Sequence, residues 1–390
     1  MIRSRRLFPL AAAVLVVLTV VGLVAGSAES NIPEAGAFKR GTAAPQSISA
    51  MTFGPDGTLY LGDSHGGAVF AIETVGEAAE VTPITLPDIE AAIAARLGTT
   101  AGEVMVHDMA VHPKSNEVYL AVSRGRGDWK SAWQLPNHVA TADVLLKVAA
   151  DGSISEFSLS DVSFARVALP NPVDAAKMHP WLEKMSLRTD TITDLAYTED
   201  TLFVAGLSNE EFASTLWKVP VPLSDGVTAT TLEIYHGAHG EYETHAPIRT
   251  FVPYNLEGEE HILAAYLCTP LSLFKVTELE DARHLKGRTI AEFGSGNYPL
   301  DMVVTPSAEG DRIFIANSNL PLIIVKVADI AAYEGEINAP LDEYSAGVDH
   351  LKRSGTGIQQ MELMSDSHLV TLQRMPSGTL DLGAIPLRRG

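Results

Sequence analysis

Residues 48–73 read ISAMTFGPDGTLYLGDSHGGAVFAIE, and their pattern decides the fold. A short alternating apolar run (ISAMTF) enters a Gly-Pro-Asp-Gly turn, a second apolar strand follows (LYLGD), and after another turn a third run (AVFAIE) closes the unit. Period-2 alternation buries one face of a strand, and Gly, Asp and Pro supply the backbone conformations that tight turns need. The first strand returns as VHDMAV from Val106, ITDLAY from Ile192, IRTFVP from Ile248, LDMVV from Leu300 and IQQMEL from Ile358. Each copy is followed by a second strand (VYLAV, LFVAG, ILAAY, IFIAN, HLVTL), and the first five units continue into a third (AVFAIE, DVLLKVA, STLWKVP, LSLFKV, LIIVKV). Repeated units of short strands, each unable to bury its own faces, are the signature of a β-propeller blade. The expected fold is all-β, a six-bladed β-propeller with small helical insertions; a seven-bladed ring is the alternative if the insertion after Asp161 holds a degenerate repeat.

With Ala50, Asp108, Asp194, Thr250, Asp301 and Gln360 taken as equivalent, the intervals are 58, 86, 56, 51 and 59 residues. The long second interval is read as two insertions in one blade, an irregular stretch from Arg124 to Thr141 and a segment from Leu169 to Leu187 with a helix-like DAAKMHPWLEKM. Trp129, Trp133 and Trp181 lie in these insertions and are read as cover for an exposed edge. A further helix is expected over Pro87–Leu97, where Ile89, Ala92, Ile93 and Leu97 recur at helical spacing. The sixth unit lacks a fourth strand, and residues 30–46 are expected to supply it and close the ring.

The 390 residues carry 46% hydrophobic and 19% charged side chains, enough for a large core, and a formal net charge of -20. That balance excludes a nucleic-acid partner, which needs a clustered positive face. Arg3, Arg5 and Arg6 precede an apolar run to Gly26 and the small residues Ser27 and Ala28, the order of a secretory signal. Residues 1–29 are therefore read as a signal peptide or uncleaved N-terminal anchor, residues 30–390 as one propeller domain, and the location as secreted or periplasmic. No membrane association is expected beyond that anchor. Cys268 is the only cysteine, so no intramolecular disulfide forms.

In a blade the first strand lies beside the axis. Met51, Met109, Leu195, Phe251, Met302 and Met361 should pack between blades, while their small or acidic neighbours face the tunnel. The second-to-third strand loops return to the same end. Candidate metal ligands at this mouth are Asp108, Asp194, Asp301 and Asn317, a hard oxygen set that favours Ca²⁺ or Mg²⁺ over Zn²⁺. Candidate ligand-binding residues are His65, His107, Arg124, Asn209, Glu210, Arg249, Cys268 and Asn319. Two blander readings stand beside these: the aspartates tie down neighbouring backbone amides, and Arg249 or Arg124 compensates their charge. Cys268 could be a nucleophile with His107 or His65 as base, or an inert buried thiol. His236, His239, Glu243 and His245 in YHGAHGEYETHAP form a His-x-x-His pattern with a following carboxylate, which can bind zinc, although a Gly-rich surface loop with capping histidines is the preferred reading.

The run LYLGDSHGGAVFAIE resembles the NHL-repeat and gluconolactonase-like six-bladed propellers. That resemblance implies a divalent metal held at the mouth by a Glu, two Asn and an Asp, parts that Asn209, Asn317, Asp108 and Asp301 could take. The strings AGLSNEEFAST, HGAHGEYETHAPIRTF, AYLCTPL and YPLDM are more specifically similar to a group of secreted propeller proteins with no assigned activity. The expected function is binding of a small ligand, divalent metal or partner protein at the tunnel mouth. The alternatives are a metal-dependent hydrolase of lactone-like or ester substrates and an accessory subunit of a periplasmic redox enzyme.

Overall fold

The computed structural model describes residues 37–124, 143–179 and 186–387. The signal-like N-terminus, Trp129, Trp133, Trp181 and most of the Arg124–Thr141 stretch lie outside them. The described residues form six sheets arranged as a six-bladed propeller, antiparallel except where Arg283–Lys286 pairs parallel with Thr228–His236, with two α-helices. Blades are numbered here in chain order by their inner strands: Ala50–Phe53, Val104–Val111, Asp194–Thr198, Thr250–Leu256, Pro299–Thr305 and Ile358–Ser365.

Every first, second and third strand read from the repeat forms, because each alternates a face that packs on one neighbouring blade with a face that packs on the other. The six large inner-strand residues, Met51, Met109, Leu195, Phe251, Met302 and Met361, are buried, and each sits in a different inter-blade apolar cluster. Burying one such side chain stabilises by about 1.5–3 kcal/mol, so these junctions supply much of the ring's cohesion.

The clusters also reveal the order of the ring. Blade 1 packs on blades 2 and 3, and blade 2 packs on blade 6, so the circuit runs 1-3-4-5-6-2 and back to 1. Blade 2 therefore lies between the first and last units of the chain. Two blades are composite as a result. The fourth strand of blade 1, Val162–Ala168, arrives after blade 2 is complete and pairs antiparallel with Ala68–Glu73. The fourth strand of blade 6, Thr85–Leu86, comes from the segment between blades 1 and 2 and pairs with Leu380–Pro386.

This order corrects three expectations. The long interval between Asp108 and Asp194 includes the strand that crosses the outside of blade 1, a topological detour as well as an insertion. The ring is closed by Thr85–Leu86, whereas the early segment contributes Lys39–Gly41 as a fifth strand at the outer edge of blade 1. The helix-like reading of DAAKMHPWLEKM fails in its described part: Asp174–Met178 makes a turn, and Met178 bridges to Ser186. The His-Pro pair there disfavours helix at the residue before the proline.

The expected helix does form, over Ile89–Leu97, and ends at Gly98, whose φ of 68° is the left-handed conformation that glycine adopts without strain. Ile89, Ile93 and Ala94 pack against Leu380 and Leu382 of blade 6. Glu90 receives two hydrogen bonds from the Arg374 guanidinium, 2.5 and 2.8 Å, tying the helix to the last hairpin. Gly206 marks the tightest point of the entry to blade 3, where a Cβ would lie 2.0 Å from the Thr191 carbonyl oxygen.

The composite sixth blade is testable by cross-linking. Thr85 and Gly383 face each other in register, and a side chain at Gly383 meets open space. The pair Thr85→Cys with Gly383→Cys should form an intrachain disulfide on mild oxidation, seen by peptide mapping, and stabilise by about 2–4 kcal/mol, as bridges closing long loops do. A chain whose sixth blade is closed by residues 30–46 would not form it.

Candidate functional site

The inner strands deliver one residue each to the end of the tunnel where they begin. There a cavity of about 350 Å³ is lined by Ser49, His107, Asp108, Asp194, Arg249 and Asp301, with Thr250, Gln360 and further residues. The aspartates belong to blades 2, 3 and 5. In the circuit 1-3-4-5-6-2 these are alternate positions, so the three carboxyls have a pseudo-threefold arrangement around the axis that chain order conceals.

Each aspartate spans a blade junction. Asp108 accepts from the Met109 amide at 2.8 Å and, across the junction, from the Met51 amide of blade 1 at 2.5 Å. Asp194 accepts from Leu195 at 2.8 Å and from Phe251 of blade 4 at 2.9 Å. Asp301 accepts from Met302 at 2.7 Å and from Met361 of blade 6 at 2.5 Å. Each carboxyl thus satisfies two amides in adjacent inner strands, as the amide-tying reading expects. Two of the other three junctions use different groups: between blades 1 and 3 Ser64 Oγ exchanges hydrogen bonds with the Ile192 amide and carbonyl, and between blades 6 and 2 Gln360 donates to the His107 carbonyl.

Tying amides leaves the electrostatic cost in place. Asp108 and Asp301 have pKa values pushed well above the usual carboxyl range, first by burial and then by neighbouring aspartates. Burial pushes Asp194 up to about 7 despite the opposing amide hydrogen bonds. Glu362, two residues along the blade 6 strand from Gln360, is likewise pushed up to about 7 by burial, with Asp194 adding to the effect. Arg249 lowers Asp194 through its charge, but its guanidinium is hydrogen-bonded to Asp190 at 3.3 Å. The three aspartates do not come within direct chelating distance of one another. A cation among them would be reached through its own water shell or would have to be larger than a bare ion.

The other mouth candidates divide. His107 lines the cavity, its Nε2 3.8 Å from Asp143, and burial lowers its pKa so that it is neutral near pH 7. His65 is half-buried, and its carbonyl accepts from Arg188. Asn317 is buried, accepts from Asn297 and donates to the Ile315 carbonyl, and is not among the residues lining the cavity. Asn319 is spent on the same turn, where it bonds Asn297 and Gly296. Glu210 is exposed and accepts from Asn171, whose carbonyl accepts from the Asn209 amide. Arg124 is exposed at the end of its strand. The Cys268 thiol lies near His236 and His239. Glu362 was missed as a candidate, although the alternation that brings Gln360 to the axis also brings Glu362 there.

No family model matches the chain, and no curated protein matches it. Among solved structures the chain is similar to the Plexin A4 full extracellular region (domains 1 to 8), at 10% identity over 91% of this chain and 47% of that one, with a TM-score of 0.38. It is similar to Drosophila Semaphorin 1b, extracellular domains 1-2, at 11% identity over 92% and 88%, TM-score 0.36. A chain of the Mitotic Checkpoint Complex aligns at 10% identity over 98% and 100%, TM-score 0.34. The chain spans about half the length of the plexin chain. The propeller is established by its own strand order, and its function has to come from the residues at the axis.

Because folding raises the pKa of Glu362 and Asp194 above their unfolded values, their protonated forms are favoured in the fold. Their stabilising contribution is complete below about pH 4 and is lost as pH rises through about 7. Glu362→Gln keeps an acceptor for the Leu363 amide and removes a buried charge. It should stabilise by about 1–2 kcal/mol at pH 8 and change little at pH 5, measured by denaturant unfolding at both pH values.

Proposed function

We propose that the propeller binds a small cationic ligand, a hydrated divalent ion or an organic amine, in the axial cavity. The observation that carries this reading is the convergence of Asp108, Asp194 and Asp301 on one space of about 350 Å³, all held at raised pKa by burial, with Asp194 adding to the effect at Asp108 and both Asp108 and Asp194 adding to it at Asp301. Burial and like charge disfavour the ionised carboxyls, and a cation placed among them would offset both. The spacing of the carboxyls favours an ion that keeps part of its water shell, as Mg²⁺ does, or a ligand the size of a diamine. The signal-like order of residues 3–28 supports a location outside the cytoplasm. Among the described residues, no helix is long and apolar enough to cross a membrane.

One observation favours an enzymatic variant of the same reading. His107 is neutral near pH 7, lines the cavity and lies beside the Asp143 carboxylate, as a general base would. With a hydrated ion at the axis, that pair would support hydrolysis of lactones or esters, with the ion polarising a carbonyl and His107 taking the proton from water. Turnover of a lactone and ester panel that depends on the added ion and is lost in His107→Gln would establish it.

The binding reading is tested by melting the protein at pH 8 with Mg²⁺, Ca²⁺ or a diamine at increasing concentration. A ligand present at about 100 times its Kd adds about 2.7 kcal/mol to the folded state. Wild type should show a saturable rise in melting temperature that is smaller at pH 5, where the carboxyls hold protons. In Asp194→Asn the rise should shrink at least severalfold. That variant loses the acceptor of one of the two amides and also a buried charge, so its starting stability differs and the ligand-induced increment is the quantity to compare. An increment that is equal in both proteins and at both pH values would remove the axial site.

A further inference from the structure

We infer that His236, His239 and Cys268 form a binding site for a transition-metal ion of zinc-like softness, separate from the axial cavity and built at the junction of blades 3 and 4. His236 ends the blade 3 strand Thr228–His236, and His239 follows in a turn closed by hydrogen bonds from the His239 and Gly240 amides to the His236 carbonyl. Cys268 belongs to the loop between the second and third strands of blade 4, after Glu259–Ala265 and before Pro270–Lys275. One imidazole nitrogen from each histidine and the Cys268 sulfur all lie within 4.8 Å of one another. An ion with bonds of about 2.0–2.1 Å to nitrogen and 2.3 Å to sulfur brings such atoms to roughly 3.3–3.8 Å, a contraction that side-chain rotation supplies.

The surroundings are those a metal site needs. Glu243 Oε1 lies 2.8 Å from His236 Nδ1 and 2.5 Å from His239 Nδ1. The carboxylate therefore holds the proton of both rings on Nδ1 and leaves the Nε2 lone pairs free, the carboxylate–histidine arrangement found behind metal-bound imidazoles. The rings lie with their centroids 3.8 Å apart. His236 is 1% exposed, and its Nε2 has no hydrogen-bond partner. A buried acceptor left empty costs about 1–3 kcal/mol, and a bound ion removes that cost. The Gly296 amide donates to the Cys268 sulfur at 3.4 Å, which fixes the position of the sulfur.

The backbone is committed to the same geometry. Cys268 and Thr269 have φ of 60° and 70°, two successive non-glycine residues in the left-handed region, held by Cys268 N to the Asn297 carbonyl and by Thr269 Oγ to the Gly294 carbonyl. Backbone strain of this kind persists where surrounding structure over-determines it. Beneath the histidine turn, Glu292 accepts from the Gly237 and Ala238 amides and adds negative charge. Gly237 lets the turn sit against Ile337 and Leu341, where a Cβ would come within 2.9 and 2.8 Å. Two imidazoles and a thiolate are too soft a set for Ca²⁺ or Mg²⁺ and suit Zn²⁺, with three protein ligands and a fourth position open to water or substrate.

The test uses the full chain, stripped with chelator and titrated with Zn²⁺ or Co²⁺ alone. Wild type should bind one ion per chain, and the Co²⁺ form should show a thiolate-to-metal charge-transfer band with tetrahedral absorption. Cys268→Ser should abolish the band. His239→Ala, a change at a half-exposed side chain that leaves the fold intact, should weaken Zn²⁺ binding at least tenfold, and Glu243→Gln should weaken it 10–100-fold. Asp194→Asn should leave it unchanged, which separates this site from the axial one. Absence of the charge-transfer band in folded wild type, or Zn²⁺ affinity unchanged by both Cys268→Ser and His239→Ala, would overturn the assignment.

Discussion

The ring rests on a carboxylate shared between adjacent inner strands. The first strand of each blade has one neighbour in its own sheet, so amides on its axial edge have no strand to pair with, and an unpaired buried amide is costly. At three junctions an aspartate resolves this by accepting from its own strand and from the next blade. Three of the six apolar clusters between blades are thereby aligned by a polar contact whose geometry tolerates little sliding.

The same solution concentrates acid at the axis. Asp108, Asp194, Asp301 and Glu362 all sit where burial disfavours their charged forms, and Glu362 has only one amide hydrogen bond from its own strand in return. The structural role and the proposed ligand role are therefore compatible: the amides position the carboxyls, and their unrelieved electrostatics make the space between them attractive to cations. With Asp194 and Glu362 near pKa 7, occupancy by proton or cation would change around neutral pH.

Blade order has its own consequences. Because blade 2 sits between the first and last units, the sheets of blades 1 and 6 each take their fourth strand from a distant segment. Blade 6 is completed by Thr85–Leu86, almost 300 residues before its own third strand, and the helix Ile89–Leu97 is clamped to the same blade through Glu90 and Arg374. Contacts of such long sequence separation form late and slow folding, and they hold the C-terminal blade once formed. The junction of blades 3 and 4 is different: adjacent in both chain and ring, it assembles His236, His239 and Cys268 from segments about 30 residues apart.

Much was legible in the residues themselves. Six repeats of alternating strands, the large residue at each inner strand and the polar residue beside it follow from period-2 geometry and chain-local turns, so blade number, the inner strands and the axial placement of Asp108, Asp194 and Asp301 could all be read. The helix over Ile89–Leu97 was visible for the same reason. What depends on which units become neighbours was not. The ring order, the two borrowed fourth strands and the alternation of the aspartates arise from a crossover that leaves only a long interval in the chain. Likewise, HGAH and its glutamate could be seen as a histidine pattern, but a thiol from the next blade joins it only because two loops meet in space. Asn317 shows the reverse: its type suited a ligand, and the structure engages its side chain with Asn297 and the Ile315 carbonyl. Local periodicity is written into sequence, whereas the partners of a side chain are decided by packing between segments that sequence does not place side by side.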